Sequence, residues 1–165
     1  MYNTSKVVFS PRVRKSPYFN STIKYGATAF SVYNHMYMPV TYDGTIEDYK
    51  KLLDGVQLWD VGVERQVQIK GPDAESLAQF LTPRNIKKCS IGQAMYTPLT
   101  DFKGNLINDP VMLKIDNDCY WFSVSDGDLL LWAQGIAAGY KFEVDVDEPD
   151  VSPLQVQGPN STKLM

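Results

Sequence analysis

The sequence predicts an α+β fold with a mainly antiparallel sheet and helices. Between residues 64 and 146 its patterns follow the order strand, helix, strand, strand, helix, strand, which resembles a split βαβ unit. Short turns, rather than helices alone, join the strand-like segments. With 165 residues and 44% hydrophobic content the chain can bury a sizeable core, and its length suggests one domain.

The N-terminal part contains one clear helix signal. Residues 1–25 are polar and rich in Ser, Arg and Lys, and we expect an extended arm there. An apolar, aromatic stretch follows at 28–40. The pattern Thr45-x-x-Asp48 resembles a capping box and predicts a helix from Ile46 to about Asp54, with Gly55 as its stop. Strands are expected at 56–61 and 64–70.

Two longer helices are predicted further along the chain. Gly71-Pro72-Asp73 opens the first, because proline is favoured in a first helical turn. Asp126 caps the second, and Gly139 is expected to end it. The residues expected to face the core are Ala74, Leu77, Ala78, Leu81, Leu129, Trp132, Ala133, Ile136 and Ala137. Further strands are expected at 119–125, 140–146 and 154–157.

The central stretch, 92–115, predicts a hairpin with a carboxylate on its apolar face. Its strands are 93–100 and 106–115, joined by a tight loop at 101–105. With a period of two, Asp109 shares a face with Ile107, Val111, Leu113 and Ile115. A buried carboxylate must be paired, hydrogen-bonded or protonated.

The sequence leaves two points about this carboxylate open. Pro110 could produce a bulge that turns Asp109 off the apolar face, which would make its role structural. A one-residue change in strand pairing also decides whether Tyr96 shares the face of Asp109.

Composition argues against several classes of function. The net charge of −3 and a sequence pI of about 5.1 argue against nucleic-acid binding, and no apolar run has transmembrane length. His35 is the one histidine, and Cys89 and Cys119 lack CxxC spacing, so no metal site is expected. We expect a cytoplasmic protein without disulfides. Ten Tyr, seven Phe and three Trp favour a site of aromatics and carboxylates, although Tyr120–Phe122 and Trp132 are expected in the core.

The end of the sequence repeats an earlier motif. Residues 154–160, Leu-Gln-Val-Gln-Gly-Pro-Asn, echo 67–73, Val-Gln-Ile-Lys-Gly-Pro-Asp. Each copy reads as a strand, then Gly-Pro, then a helix-capping residue. The second copy stops at Met165, and a helix that short is not stable alone. We therefore expect the N-terminal portion of a larger protein, inactive by itself.

A series of motifs in order resembles the folate-binding aminomethyltransferase family, which includes the T-protein of the glycine cleavage system. The motifs are Met38-Pro39-Val40, Leu58-Trp59-Asp60-Val61, Val67-x-Ile69-x-Gly71-Pro72-Asp73-Ala74, Gly92-Gln93-Ala94-x-Tyr96 and Gly104-Asn105-Leu106-Ile107-Asn108-Asp109. Tyr33–Met36, Glu64–Val67 and Asn105–Val111 also resemble the dimethylsulfoniopropionate demethylases of that family. The T-protein pattern has Asp-Asp in place of Asn108-Asp109, which argues against aminomethyl transfer.

The resemblance implies a T-protein-like folate-binding fold, with tetrahydrofolate as methyl acceptor and the sulfonium compound dimethylsulfoniopropionate as donor. A sulfonium methyl group is already electrophilic, so its transfer to folate N5 is mainly a problem of positioning. Aromatic faces and a carboxylate bind such a cation well. By motif position Asp109 is the expected catalytic carboxylate, and Tyr96, Asn108 and His35 are expected to bind substrate or folate. The alternatives are a T-protein-like aminomethyltransferase and a non-catalytic folate-binding relative.

Overall fold

The computed structural model describes residues 10–165, which divide into two compact units. One unit comprises the described residues up to Val63 together with Pro153–Met165, and the other is Glu64–Ser152. The expectation of a single domain, made from length, stays a prediction. No helix in the described range is long and apolar enough to cross a membrane.

Five α-helices, one 3-10 helix (Ile86–Lys88) and eleven strands are assigned within residues 10–165. The helices are α1 (Phe19–Lys24), α2 (Thr45–Asp54), α3 (Ala74–Phe80), α4 (Leu129–Tyr140) and α5 (Ser161–Leu164). The strands are β1 (Ala29–Tyr33), β2 (Met36–Thr41), β3 (Gln57–Asp60), β4 (Gln66–Lys70), β5 (Ala94–Tyr96), β6 (Leu99–Thr100), β7 (Leu106–Asn108), β8 (Val111–Asp116), β9 (Cys119–Ser123), β10 (Asp145–Asp147) and β11 (Leu154–Gln157).

The unit 64–152 contains a five-stranded antiparallel sheet in the order β10-β4-β9-β8-β5. Along the chain β4, α3, β8, β9, α4 and β10 follow the predicted order of a split βαβ unit, and β5 adds an edge strand. The predicted α+β fold with a mainly antiparallel sheet is therefore confirmed.

The core of this unit lies between α3, α4 and one face of the sheet. The apolar stripes predicted for the two helices are buried, and Trp132 packs partly buried against them. The sheet contributes the fully buried side chains Ile69, Met112, Tyr120 and Phe122. Helix α4 runs past Gly139, and the left-handed residue that follows it is Lys141, with φ of 58°.

Two prolines divide the predicted central hairpin into two ladders. β5 pairs with β8 in the large sheet, whereas β6 pairs with β7 in a separate two-stranded sheet. Pro98 interrupts the first segment between β5 and β6, and Pro110 interrupts the facing segment between β7 and β8, because proline has no N–H to donate. The Thr97 N–H donates to the Pro110 carbonyl at 2.9 Å, and this hydrogen bond joins the two segments across the break. Asp109 lies at this junction.

The first unit contains a hairpin and an N-terminal helix. β1 and β2 are joined by Asn34 and His35, whose φ values of 48° and 60° are those of a type I′ turn. The predicted extended arm is wrong at 19–24, where α1 forms, and its first nine residues lie outside the described range. The reason is Phe19, which is 4% exposed and packs with its ring centroid 5.2 Å from Phe30.

Helix α2 has the predicted extent but not the predicted cap. Gly44 is the N-cap and Thr45 is already helical. Asp48 instead accepts hydrogen bonds from the Thr41 hydroxyl at 2.7 Å and the Tyr42 N–H at 2.8 Å, so its carboxylate closes the preceding loop. Gly55 follows the helix as predicted.

The echoed sequence motif is also a structural repeat. After β4, Gly71 has φ of 139°, and after β11, Gly158 has φ of 131°. The Asp73 N–H donates to the Glu143 carbonyl at 3.3 Å, and the corresponding Asn160 N–H donates to the Gly55 carbonyl at 3.1 Å. Each copy thus leads from a strand into a helix through the same turn.

Candidate functional site

Asp109 is half-buried, and the burial of its neighbours is the reverse of the prediction. The core-facing residues around it are Asn108, Pro110 and Met112. Val111 and Ile115 are 41% and 42% exposed. The prediction that the odd-numbered row is buried is therefore wrong. The register is the reason, since Met112 lies opposite Met95 and Phe122 on the face covered by the helices.

Tyr96 and Asp109 lie on the same side of the sheet. Tyr96 is paired with Val111, and its hydroxyl donates to Asp109 Oδ2 at 3.3 Å. This distance is long for an O–H···O hydrogen bond. The pKa of Tyr96 is raised above its ordinary value, first by partial removal from water and then by the negative charge of Asp109 and their hydrogen bond.

We call the face of the five-stranded sheet opposite α3 and α4 the outer face. It carries Ala94, Tyr96, Val111, Leu113 and Trp121, with Asp109 at its rim. Leu113 lies opposite both Ala94 and Trp121, which makes the row continuous across three strands. The outer face is a mostly apolar surface bordered by a carboxylate and a phenol.

Trp121 is held in place on the outer face by a polar chain. Its indole N–H donates to Gln68 Oε1 at 2.8 Å, and Gln68 Nε2 donates to Asp147 Oδ1 at 3.0 Å. Tyr120 and Phe122 lie in the core as expected, but Trp121 between them is only half-buried. Because successive side chains of a strand point to opposite faces, a core position for Tyr120 and Phe122 already predicts that Trp121 lies on the opposite face.

Asn108 is a buried link between two backbone segments. Its Nδ2 donates to the Ser125 carbonyl at 3.0 Å, and its Oδ1 accepts from the Ser125 N–H at 3.1 Å. A Cβ on Gly127 would come within 3.2 Å of the same Nδ2, so the amide is closely enclosed. Both ends of the Asn108 side chain are thus engaged next to Asp109.

His35 lies in the first unit, in the turn between β1 and β2, and is exposed. Its carbonyl accepts from the Arg14 N–H at 2.9 Å. The structure brings Tyr96, Asn108 and Asp109 together in the second unit and does not place His35 among the elements that position them.

The outer face offers groups that suit the binding of a planar ligand. Among residues 10–165 no group of three or more His, Cys, Asp or Glu is placed to hold a metal ion. Cys89 and Cys119 are buried free thiols. A flat surface of apolar and aromatic side chains can stack a planar ring, and a carboxylate at its rim can accept hydrogen bonds from ring N–H groups.

Two comparisons of the sequence with known proteins show the family. The model of the GCVT N-terminal domain matches residues 18–165. The chain is 44% identical over 156 residues to dimethylsulfoniopropionate demethylase DmdA of Ruegeria pomeroyi, a match that covers 94% of this chain and 43% of that protein. It is 27% identical over 131 residues to an aminomethyltransferase of Alkaliphilus metalliredigens, covering 78% of this chain and 36% of that one.

A solved structure shows the same fold. The glycine cleavage system aminomethyltransferase T from Bartonella henselae matches with a TM-score of 0.81 at 20% identity, covering 92% of this chain and 42% of that one. The chain thus spans less than half the length of these relatives. The resemblance inferred from the motifs is confirmed, and the chain belongs to the family defined by the GCVT N-terminal domain.

Proposed function

We propose that this chain forms part of a tetrahydrofolate-dependent methyltransferase that moves a methyl group from dimethylsulfoniopropionate to folate N5. The observation that carries the proposal is the pairing of Tyr96 with Asp109 at the rim of the apolar outer face. The 44% identity to a dimethylsulfoniopropionate demethylase supports this substrate over the aminomethyl carrier of the relatives near 27%.

The residues of the outer face fit the pterin ring of tetrahydrofolate. A pterin is planar and carries N–H donors along one edge. Leu113 and Trp121 offer it a stacking surface, and Asp109 offers a carboxylate that can accept two parallel N–H hydrogen bonds. Asp109 is half-buried, so such hydrogen bonds would be partly shielded from water.

The chemistry requires orientation more than acid or base strength. Bound tetrahydrofolate would supply the nucleophilic nitrogen, and the sulfonium methyl group is already activated for attack. Asp109 would fix the ring position and contribute a negative charge that favours a cationic donor. Tyr96 would hold one oxygen of Asp109 through its hydroxyl and present its ring to the ligand.

The other two predicted residues take different roles in this proposal. Asn108 acts as a positioning residue, because its amide fixes the backbone beside Asp109 to Ser125. His35 stays a predicted folate- or substrate-binding residue, and its side chain is exposed in the tight turn between β1 and β2.

A chimera tests the proposal. In it this chain replaces the matching segment of the Ruegeria pomeroyi demethylase, which supplies the remaining length. With dimethylsulfoniopropionate and tetrahydrofolate we expect 5-methyltetrahydrofolate and the demethylated thioether in equal amounts. The unaltered Ruegeria protein is the positive control.

Two other outcomes would replace the proposal. Release of ammonia from an aminomethyl-lipoyl carrier, without sulfonium demethylation, would assign the chain to the aminomethyltransferases. That reading has support in the 27% identity to an aminomethyltransferase. Folate binding by the chimera without turnover of either donor would indicate a non-catalytic folate-binding relative.

A further inference from the structure

One residue from each strand of the five-stranded sheet stands in a single row across the outer face. In the strand order β10-β4-β9-β8-β5 the members of this row are Asp147, Gln68, Trp121, Leu113 and Ala94. The pair Tyr96 and Val111 stands two residues further along β5 and β8. Because side chains on one face of a strand recur at every second residue, the row lies next to the rim that holds Asp109.

Two hydrogen bonds join neighbours within this row. Trp121 Nε1 donates to Gln68 Oε1 at 2.8 Å, and Gln68 Nε2 donates to Asp147 Oδ1 at 3.0 Å. The Cys119 thiol also donates to Gln68 Oε1, at 3.6 Å. An indole N–H can only donate and an ionised carboxylate can only accept. Both neighbours in the row therefore hold the Gln68 amide in the same one of its two orientations.

These hydrogen bonds fix an indole ring that the core does not fix. Trp121 is half-buried, whereas its neighbours on β9, Tyr120 and Phe122, are 0% exposed among close-packed side chains. A half-buried ring has room to change its rotamer, and the bond to Gln68 restricts that freedom. The negative charge of Asp147 polarises the amide between them, which strengthens the bond to the indole.

We propose that Gln68, itself oriented by Asp147, is a positioning residue that holds the Trp121 ring in the plane in which it stacks against folate. The inference rests on the proposed function, because it takes tetrahydrofolate as the ligand of the outer face. Gln68 acts through Trp121, since its amide oxygen and nitrogen are already bonded within the row. A ring that is fixed before binding loses less conformational entropy when the ligand arrives.

The test measures tetrahydrofolate binding by the chimera, with isothermal titration calorimetry, and does not require turnover. Gln68→Met keeps the length of the side chain but removes the oxygen that holds the indole. We expect the Kd to rise about three- to tenfold, as the loss of one neutral hydrogen bond predicts. Gln134→Met is the matched control, because Gln134 Nε2 also donates to β10, at the Val146 carbonyl, but from α4 on the helix-covered side. It should leave the Kd unchanged.

Substitutions of Asp147 give a second measurement that does not depend on the folding of Gln68→Met, because the Asp147 side chain is exposed. Asp147→Ala frees the Gln68 amide to turn and should raise the Kd about threefold. Asp147→Asn keeps an oxygen that can accept from Gln68 Nε2 and should stay within about 1.5-fold of the parent. In Gln68→Met and Asp147→Ala without ligand, nitrogen-15 NMR of labelled tryptophan should show faster solvent exchange of the Trp121 indole N–H.

A double-mutant cycle shows whether Gln68 acts through Trp121. In Trp121→Phe, which keeps an aromatic face but has no N–H, Gln68→Met should change the Kd by less than about 1.5-fold. The inference is overturned if Gln68→Met weakens binding equally in both backgrounds, or if it leaves the Kd of the parent unchanged.

Failure of the proposed function gives a different result. A chimera that binds tetrahydrofolate and shows these differences without methyl transfer would contradict the proposed reaction while supporting the role of Gln68. A chimera that does not bind tetrahydrofolate would overturn both proposals.

Discussion

The two faces of the five-stranded sheet are both apolar, yet one is buried and the other is not. On the inner face Met112, Tyr120 and Phe122 are 0% exposed beneath α3 and α4. On the outer face, made by the alternate residues of the same strands, Val111 is 41% exposed and Leu113 half-buried. The inner face accounts for the stability of the unit. Apolar side chains on the outer face are not needed to close that core, which is why we assign them to ligand binding.

The largest expected difference between the faces is in stability. Phe122→Ala should lower the free energy of unfolding by about 3–5 kcal/mol, because it leaves a cavity in a close-packed core. Leu113→Ala should lower it by about 1 kcal/mol or less, since its side chain is already partly solvated. Urea unfolding of both variants measures this. Equal losses would show that the outer face is structural.

The converse difference is expected in catalysis. In the chimera Asp109→Asn should lower kcat/KM by about 10- to 100-fold, since a charged hydrogen bond contributes roughly 1.5–3 kcal/mol. Its melting temperature should stay close to that of the parent, because the amide keeps the shape of the carboxylate. Asp116→Asn, at the exposed end of β8, is the control and should leave both values unchanged. A variant that melts lower but retains turnover would assign Asp109 a structural role.

The sequence predicted α3, α4 and the order of elements along residues 64–146, because the apolar periods of these two helices are long and regular. It predicted the wrong buried face for β8. In residues 106–115 the odd positions are the more hydrophobic set, yet long-range pairing of Met112 with Phe122 turns the even set inward. That pairing cannot be read from local periodicity. The break between the ladders had a local signal, Pro98 and Pro110 on facing strands, whereas the turn at Asn34 and His35 contains no glycine to mark it.

A smaller effect separates positioning from binding at Asn108. Asn108→Ala removes the buried side chain that bonds both the N–H and the carbonyl of Ser125, which should cost about 1–3 kcal/mol of stability. As a positioning residue, Asn108 should affect kcat more than KM for folate, because its loss misplaces Asp109 without removing a ligand contact. A rise in KM alone, with unchanged stability, would instead make Asn108 a direct ligand.

The smallest effect concerns the titration of Tyr96 at the rim of the outer face. Its pKa lies above the ordinary 10.0, with partial removal from water as the first cause and Asp109 as the second. A raised pKa in the folded state means that folding favours the neutral phenol. This contribution to stability is present below pH 10 and is lost as pH rises through the pKa of the folded protein.

Asp109→Asn should therefore move the pKa of Tyr96 part of the way back toward its ordinary value. Carbon-13 NMR of labelled tyrosine rings measures the shift. Tyr42 is the internal control, because burial and the charges of Asp60 and Asp48 raise its pKa, with no contribution from Asp109. An unchanged Tyr96 titration in Asp109→Asn would show that the two side chains are not coupled. The outer face would then have no interacting Tyr96–Asp109 pair at its rim.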